Sequence, residues 1–121
     1  MRHAKAIIIS LLLIFAACGA AHREHSTETD ALFLAARAGN ADMVKSLLTT
    51  QKADVNATDE HGNTPLIEAA RLGHDDVVRA LLIGRADVHA KNDQGQTALS
   101  LAAAGNHDQT VRALTEAGAA K

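Results

Sequence analysis

The chain is written as one unit that recurs. Ala53-Asp54-Val55-Asn56-Ala57 returns 33 residues later as Ala86-Asp87-Val88-His89-Ala90, and Gly62-Asn63-Thr64-Pro65-Leu66 returns at the same interval as Gly95-Gln96-Thr97-Ala98-Leu99. His74-Asp75 and Val78-Arg79-Ala80-Leu81 recur in step as His107-Asp108 and Val111-Arg112-Ala113-Leu114. An earlier copy, Asp30 to Asn40, matches Thr64 to His74 at an offset of 34, the extra residue lying in Thr49-Thr50-Gln51-Lys52. A unit this short cannot bury an apolar face by itself. It gains a core only by stacking on its own copies, so the period demands a solenoid.

Each copy carries the signals of two helices. Thr64 is an N-cap type and Pro65 suits the first helical position, whose amide has no partner; Asp30 and Thr97 hold the cap position in the other copies. Gly39 and Gly73 stand where the first helix stops, with Asn106 in that place in the third copy. Asp42, Asp75, Asp76 and Asp108 open the second helix at its positive end. Leu32, Leu66 and Leu99, the Ala-Ala pairs, Val44, Val78 and Val111, and Leu47, Leu81 and Leu114 form apolar columns along the stack. Alanine supplies roughly a fifth of the chain, which favours helix and close packing. Thr115 and Glu116 replace Leu82 and Ile83, so the third copy is expected to cap the array.

With Asp59-Glu60-His61-Gly62-Asn63-Thr64-Pro65-Leu66, Ala69-Ala70, Gly73-His74 and Ala86-Asp87-Val88 at this period, residues 30–119 resemble the ankyrin repeat. The resemblance implies an all-α solenoid of helix-turn-helix units joined by β-turn fingers, with repeats at 30–57, 58–90 and 91–121. It gives His74 and His107 a structural place. The family's His after Thr-Pro-Leu is replaced by Ile67 and Ser100, which predicts a thinner finger hydrogen-bond network and more reliance on packing. It also implies a protein partner held by finger tips and the exposed side of the first helix. The positions are Arg37 and Ala38, then Glu60, His61, Asn63, Arg71 and Leu72, then Asp93, Gln94, Gln96 and Ala104. Such surface residues are expected to be separable from the fold, so that changing Arg71 and His61 together leaves stability intact.

The first residues read as an address. Arg2 and Lys5 precede an apolar run from Ile7 to Phe15 that ends in small residues. As a helix, residues 6–21 extend about 24 Å, short of the roughly 30 Å of bilayer hydrocarbon, so residues 1–17 are expected to be a cleaved signal. Phe15-Ala16-Ala17-Cys18-Gly19 resembles a bacterial lipobox, with Phe15 where that family prefers Leu. The resemblance implies cleavage before Cys18 and lipidation of Cys18, hence an outer-membrane lipoprotein facing the periplasm, or a soluble periplasmic protein if ordinary signal peptidase cuts nearby. Residues 18–29 read as a flexible tether. Losing Arg2 and Lys5 takes the formal charge from −2 to −4.

Composition narrows function by exclusion. With two aromatic residues and a slight negative charge, the chain lacks both the anchors of cofactor pockets and the basic face of nucleic-acid binders. One cysteine excludes an internal disulfide and a multi-cysteine zinc site. No phosphate loop, nucleophile elbow or HExxH occurs, so the expectation is a monomer with no enzymatic activity and no cofactor. His22 and His25, joined by His61, offer a metal-binding alternative, and an immunity or inhibitor protein against a periplasmic toxin or hydrolase is another. His89 reads as a local substitution. Asp75–Arg79 and Asp108–Arg112 are expected as exposed i,i+4 pairs beside a Lys45–Arg79–Arg112 column.

Overall fold

A computed structural model of the chain describes residues 27–50 and 53–118. The expected signal, Cys18, His22 and His25 lie outside them. Six helices occur among the described residues: α1 Thr27–Ala38, α2 Ala41–Thr50, α3 Pro65–Leu72, α4 Asp75–Ile83, α5 Ala98–Ala104 and α6 Asp108–Glu116. They pair as three antiparallel hairpins. The first helices, α1, α3 and α5, stack in one layer, and α2, α4 and α6 stack in a second.

The apolar columns close between those layers. Leu32, Leu66, Ala36, Ala70, Val44, Val78, Leu81 and Leu114 are essentially inaccessible to solvent. Val111 is only partly buried, and Ala103 of the third Ala-Ala pair faces solvent. Ile83 is 82 % exposed, so only its neighbour Leu82 packs on the core.

Helix starts follow the cap residues. Thr64 accepts from the Ile67 amide with Pro65 beside it, and Thr97 forms a reciprocal capping box with Ser100. Asp30 departs from expectation: it lies within the first turn of α1, which begins at Thr27. The boundary of the tether at residue 29 is therefore corrected. Thr29 is 3 % exposed and its hydroxyl accepts from the Asp54 amide at 3.3 Å, which draws residues 27–29 into the packed unit. Glu28 and Asp30 favour the positive end of that helix.

The repeats are tied where each first helix ends. Gly39, Gly73 and Asn106 take left-handed φ values of 74°, 76° and 60°. The imidazole of the next repeat lies against each glycine: a Cβ on Gly39 would stand 2.9 Å from His74 Nδ1, and one on Gly73 2.5 Å from His107 Nδ1. His74 Nε2 donates to the Arg37 carbonyl at 3.1 Å and His107 Nε2 to the Arg71 carbonyl at 3.2 Å. A carbonyl only accepts, so Nε2 carries the proton in both rings.

The expected thinning of the finger network is also corrected. Asp59 Oδ1 accepts from the amides of His61 and Asn63 at 2.8 and 3.0 Å. Asn92 Oδ1, one period on, accepts from Gln94 and Gln96 at 3.0 and 2.9 Å. The fingers are stitched together by Asp93 N–H to the His61 carbonyl at 3.0 Å and by Asn92 Nδ2 to Asn63 Oδ1 at 2.9 Å. Below them, Asp87 N–H donates to Asn56 Oδ1 at 2.7 Å. Short Asx side chains make these turns without the histidine, because they reach their own backbone two and four residues on. Ile67, standing in the histidine's place, is 1 % exposed and packs as core.

Candidate partner-binding face

The fingers and first helices together form one face with two grooves. The first, about 490 Å³, runs over the first repeat between Phe33, Leu34 and Arg37 of α1 and Asp59, Glu60 and His61 of the second finger. The second, about 350 Å³, lies between the second and third fingers and is floored by Arg71, Asn63, Asn92, Gln96 and Leu101. His61 borders both. Its side chain is exposed while its amide and carbonyl are each hydrogen-bonded, so the backbone holds the imidazole at the ridge between the grooves.

Most residues named from the sequence meet here. Glu60, Asp93 and Gln94 are exposed at finger tips, and Asn63 and Gln96 are half-buried in the amide cluster around Asn92. Leu72 and Ala104, at the ends of α3 and α5, line neither groove, and Ala38 lines a separate groove between α2 and α4.

Arg37 and Arg71 behave differently from free surface cations. Arg37 donates from Nη2 to Asp59 Oδ2 and from Nε to Glu68 Oε2, both at 3.3 Å, and its guanidinium lies 5.8 Å from the Phe33 ring centroid. Arg71 Nη2 donates to the same Glu68 Oε2 at 2.8 Å. Glu68 is 3 % exposed, so one buried carboxylate joins the arginines of two repeats. Sequence reasoning missed this residue. Its signal was a carboxylate at an otherwise apolar position, since one period either side stand Leu34 and Leu101.

The second helices offer a different surface. Lys45, Arg79 and Arg112 are exposed in one column. Among the described residues the ion pairs are those of Arg37 and Arg71, and the Asp75–Arg79 and Asp108–Arg112 pairs do not form. Fixing two mobile side chains in water costs entropy that an exposed pair barely recovers. No group of three or more metal-ligating side chains occurs among the described residues, and no described helix is long and apolar enough to cross a membrane.

A family model for ankyrin repeats in three copies matches residues 2–92, and a single-repeat model matches 94–121. The chain is 39 % identical over 66 residues to ankyrin repeat domain-containing protein 29 of Homo sapiens, covering 54 % of this chain and 22 % of that protein. It is 59 % identical over 39 residues to palmitoyltransferase akr1 of Schizosaccharomyces pombe, 32 % of this chain and 6 % of that one. A third relative is alpha-latrocrustotoxin-Lt1a of Latrodectus tredecimguttatus, 47 % identical over 51 residues, 42 % of this chain and 4 % of the toxin. The chain thus spans about a fifth or less of these relatives.

Proposed function

The chain belongs to the ankyrin-repeat family, whose members are typically interaction modules without catalysis, and we propose that it binds another protein at the bacterial cell envelope, tethered by lipid on Cys18. One observation carries the binding reading: the finger face presents exposed His61, Glu60, Asp93 and Gln94 from turns whose backbones are hydrogen-bonded within and between repeats. The backbone of such a scaffold loses little further freedom on binding, which lowers the entropic cost of association. The rim is polar and lacks an exposed aromatic anchor, which fits an interface of modest affinity.

The tether reading is supported by Phe15-Ala16-Ala17-Cys18, placed where an apolar core too short to span a bilayer ends. Several acyl chains on one residue anchor stably where a single chain binds only marginally. Affinity capture from envelope fractions tests the binding reading. Replacing His61 and Gln94 with Ala should abolish capture of a specific protein, whereas replacing Arg79 and Arg112 should leave it intact. The reverse pattern would move the interface to the second-helix face.

A further inference from the structure

Asn92 sets the polarity of the second groove. Its Oδ1 accepts from the backbone amides of Gln94 and Gln96, at 3.0 and 2.9 Å. A backbone amide only donates, so the Asn92 carboxamide has one orientation. Its Nδ2 donates to Asn63 Oδ1 and to Gln96 Oε1, both at 2.9 Å. With those oxygens engaged, Asn63 and Gln96 turn their own NH2 groups away from Asn92 and into the groove they line. Neither nitrogen has a hydrogen-bond partner among the described residues, and neither is shut off from water. One period earlier the position is Asp59, whose carboxylate takes two amides and Arg37 and orients no carboxamide.

The charge around these donors is already balanced at the base, where Arg71 donates to buried Glu68 at 2.8 Å. The acceptor is at the tip. Asp93 is exposed, its Oδ1 2.6 Å from where a Cβ on Gly62 would lie, and its carboxylate has no partner among the described residues. We propose that this groove binds an extended segment of the partner protein by its main chain, carbonyl oxygens accepting from Asn63 Nδ2 and Gln96 Nε2 while a neighbouring N–H donates to Asp93. The inference rests on the interaction reading above and gives that contact a form. A peptide group carries one donor and one acceptor, the combination this groove leaves unmet. An acidic side chain is opposed by Asp93, and a basic one meets only donors at the base. A helix has already spent its carbonyls within itself, so the segment is extended and unpaired. Main-chain bonds of this kind give affinity with little reading of side chains.

The test uses the full chain in mild detergent, with the side-chain NH2 signals followed by NMR. The probe is a short peptide of alternating alanine and threonine, blocked at both ends. It should give saturable shifts of the Asn63 and Gln96 signals. Esters in place of alternate main-chain amides, or glutamate in place of threonine, should each weaken it at least about threefold. Gln96→Glu and Asn63→Asp keep the oxygen that Asn92 bonds and lose the outward donors. Each should weaken the probe by a similar factor without lowering the unfolding temperature. Asn92→Asp should do the same with no outward donor deleted, because the new carboxylate turns both NH2 groups inward. No saturable shift with the probe, equal binding of the ester peptide, or undiminished binding by Gln96→Glu overturns the proposal. So does tighter binding of the glutamate peptide, which makes the groove a carboxylate site. A captured partner that meets the fingers through a helix defeats this inference and leaves the interaction reading standing. Failure of every finger position to engage a protein defeats that reading, whatever the peptides do.

Discussion

Arg71 donates to Glu68 at 2.8 Å across one turn of α3, and the carboxylate it holds is almost wholly buried although the arginine is half exposed. The same oxygen takes Arg37 from the preceding repeat, so a finger-face cation is also part of the joint between repeats. Arg71 therefore fails to separate from the fold as its surface position implied.

Removal of the two sides of this joint should have opposite effects. Replacing Arg37 and Arg71 together with Ala strands a buried carboxylate and should cost about 3 kcal/mol, read as a lower urea midpoint. Glu68→Leu puts an apolar side chain at a position only 3 % exposed and frees two arginines that already reach water, so stability should be kept or raised. Loss of stability in Glu68→Leu equal to that of the double arginine variant contradicts this account.

Leu81 lies at zero exposure in the column shared with Leu47 and Leu114. Leu81→Ala should cost about 2–5 kcal/mol, and a three-repeat stack has little more than that to lose. Circular dichroism at 37 °C should find the variant largely unfolded.

Thr110 is 1 % exposed, and its Oγ1 is buried with no hydrogen-bond partner among the described residues. Val77 fills the matching position one period earlier. Thr110→Val keeps the shape and removes the orphan hydroxyl, so thermal unfolding should rise by the equivalent of about 1 kcal/mol. A fall in the unfolding temperature means the hydroxyl has a partner in solution.

The stack was legible because it is made of local signals repeated in register. Caps, left-handed stops and apolar columns each depend on residue type and position alone, and Thr64, Gly73 and Leu81 sit where their types require. The site was only half legible. Finger-tip exposure follows from the repeat, which is why Glu60, His61, Asp93 and Gln94 were reachable. Pairing across repeats depends on which long side chains meet in space, so Glu68 between Arg37 and Arg71 was not. Thr29 closing on Asp54 is likewise a contact between segments far apart in sequence, whereas the turns of Asp59 and Asn92 are local.

At Cys18, lipid attachment has a direct readout. Wild-type chain expressed in a bacterium that lipidates its envelope proteins should take up labelled fatty acid, and Cys18→Ala should take up none and stay unprocessed or appear soluble. Label retained in Cys18→Ala, or absent from wild type, removes the lipid tether.

Site-specific photo-crosslinking in living bacteria tests the central claim most directly. A photoreactive residue is placed singly at His61, Gln94, Arg79 or Arg112 of the full chain. The account predicts a discrete protein adduct from positions 61 and 94 and none from 79 and 112. Adducts confined to 79 and 112, or no protein adduct from either finger position, would contradict it.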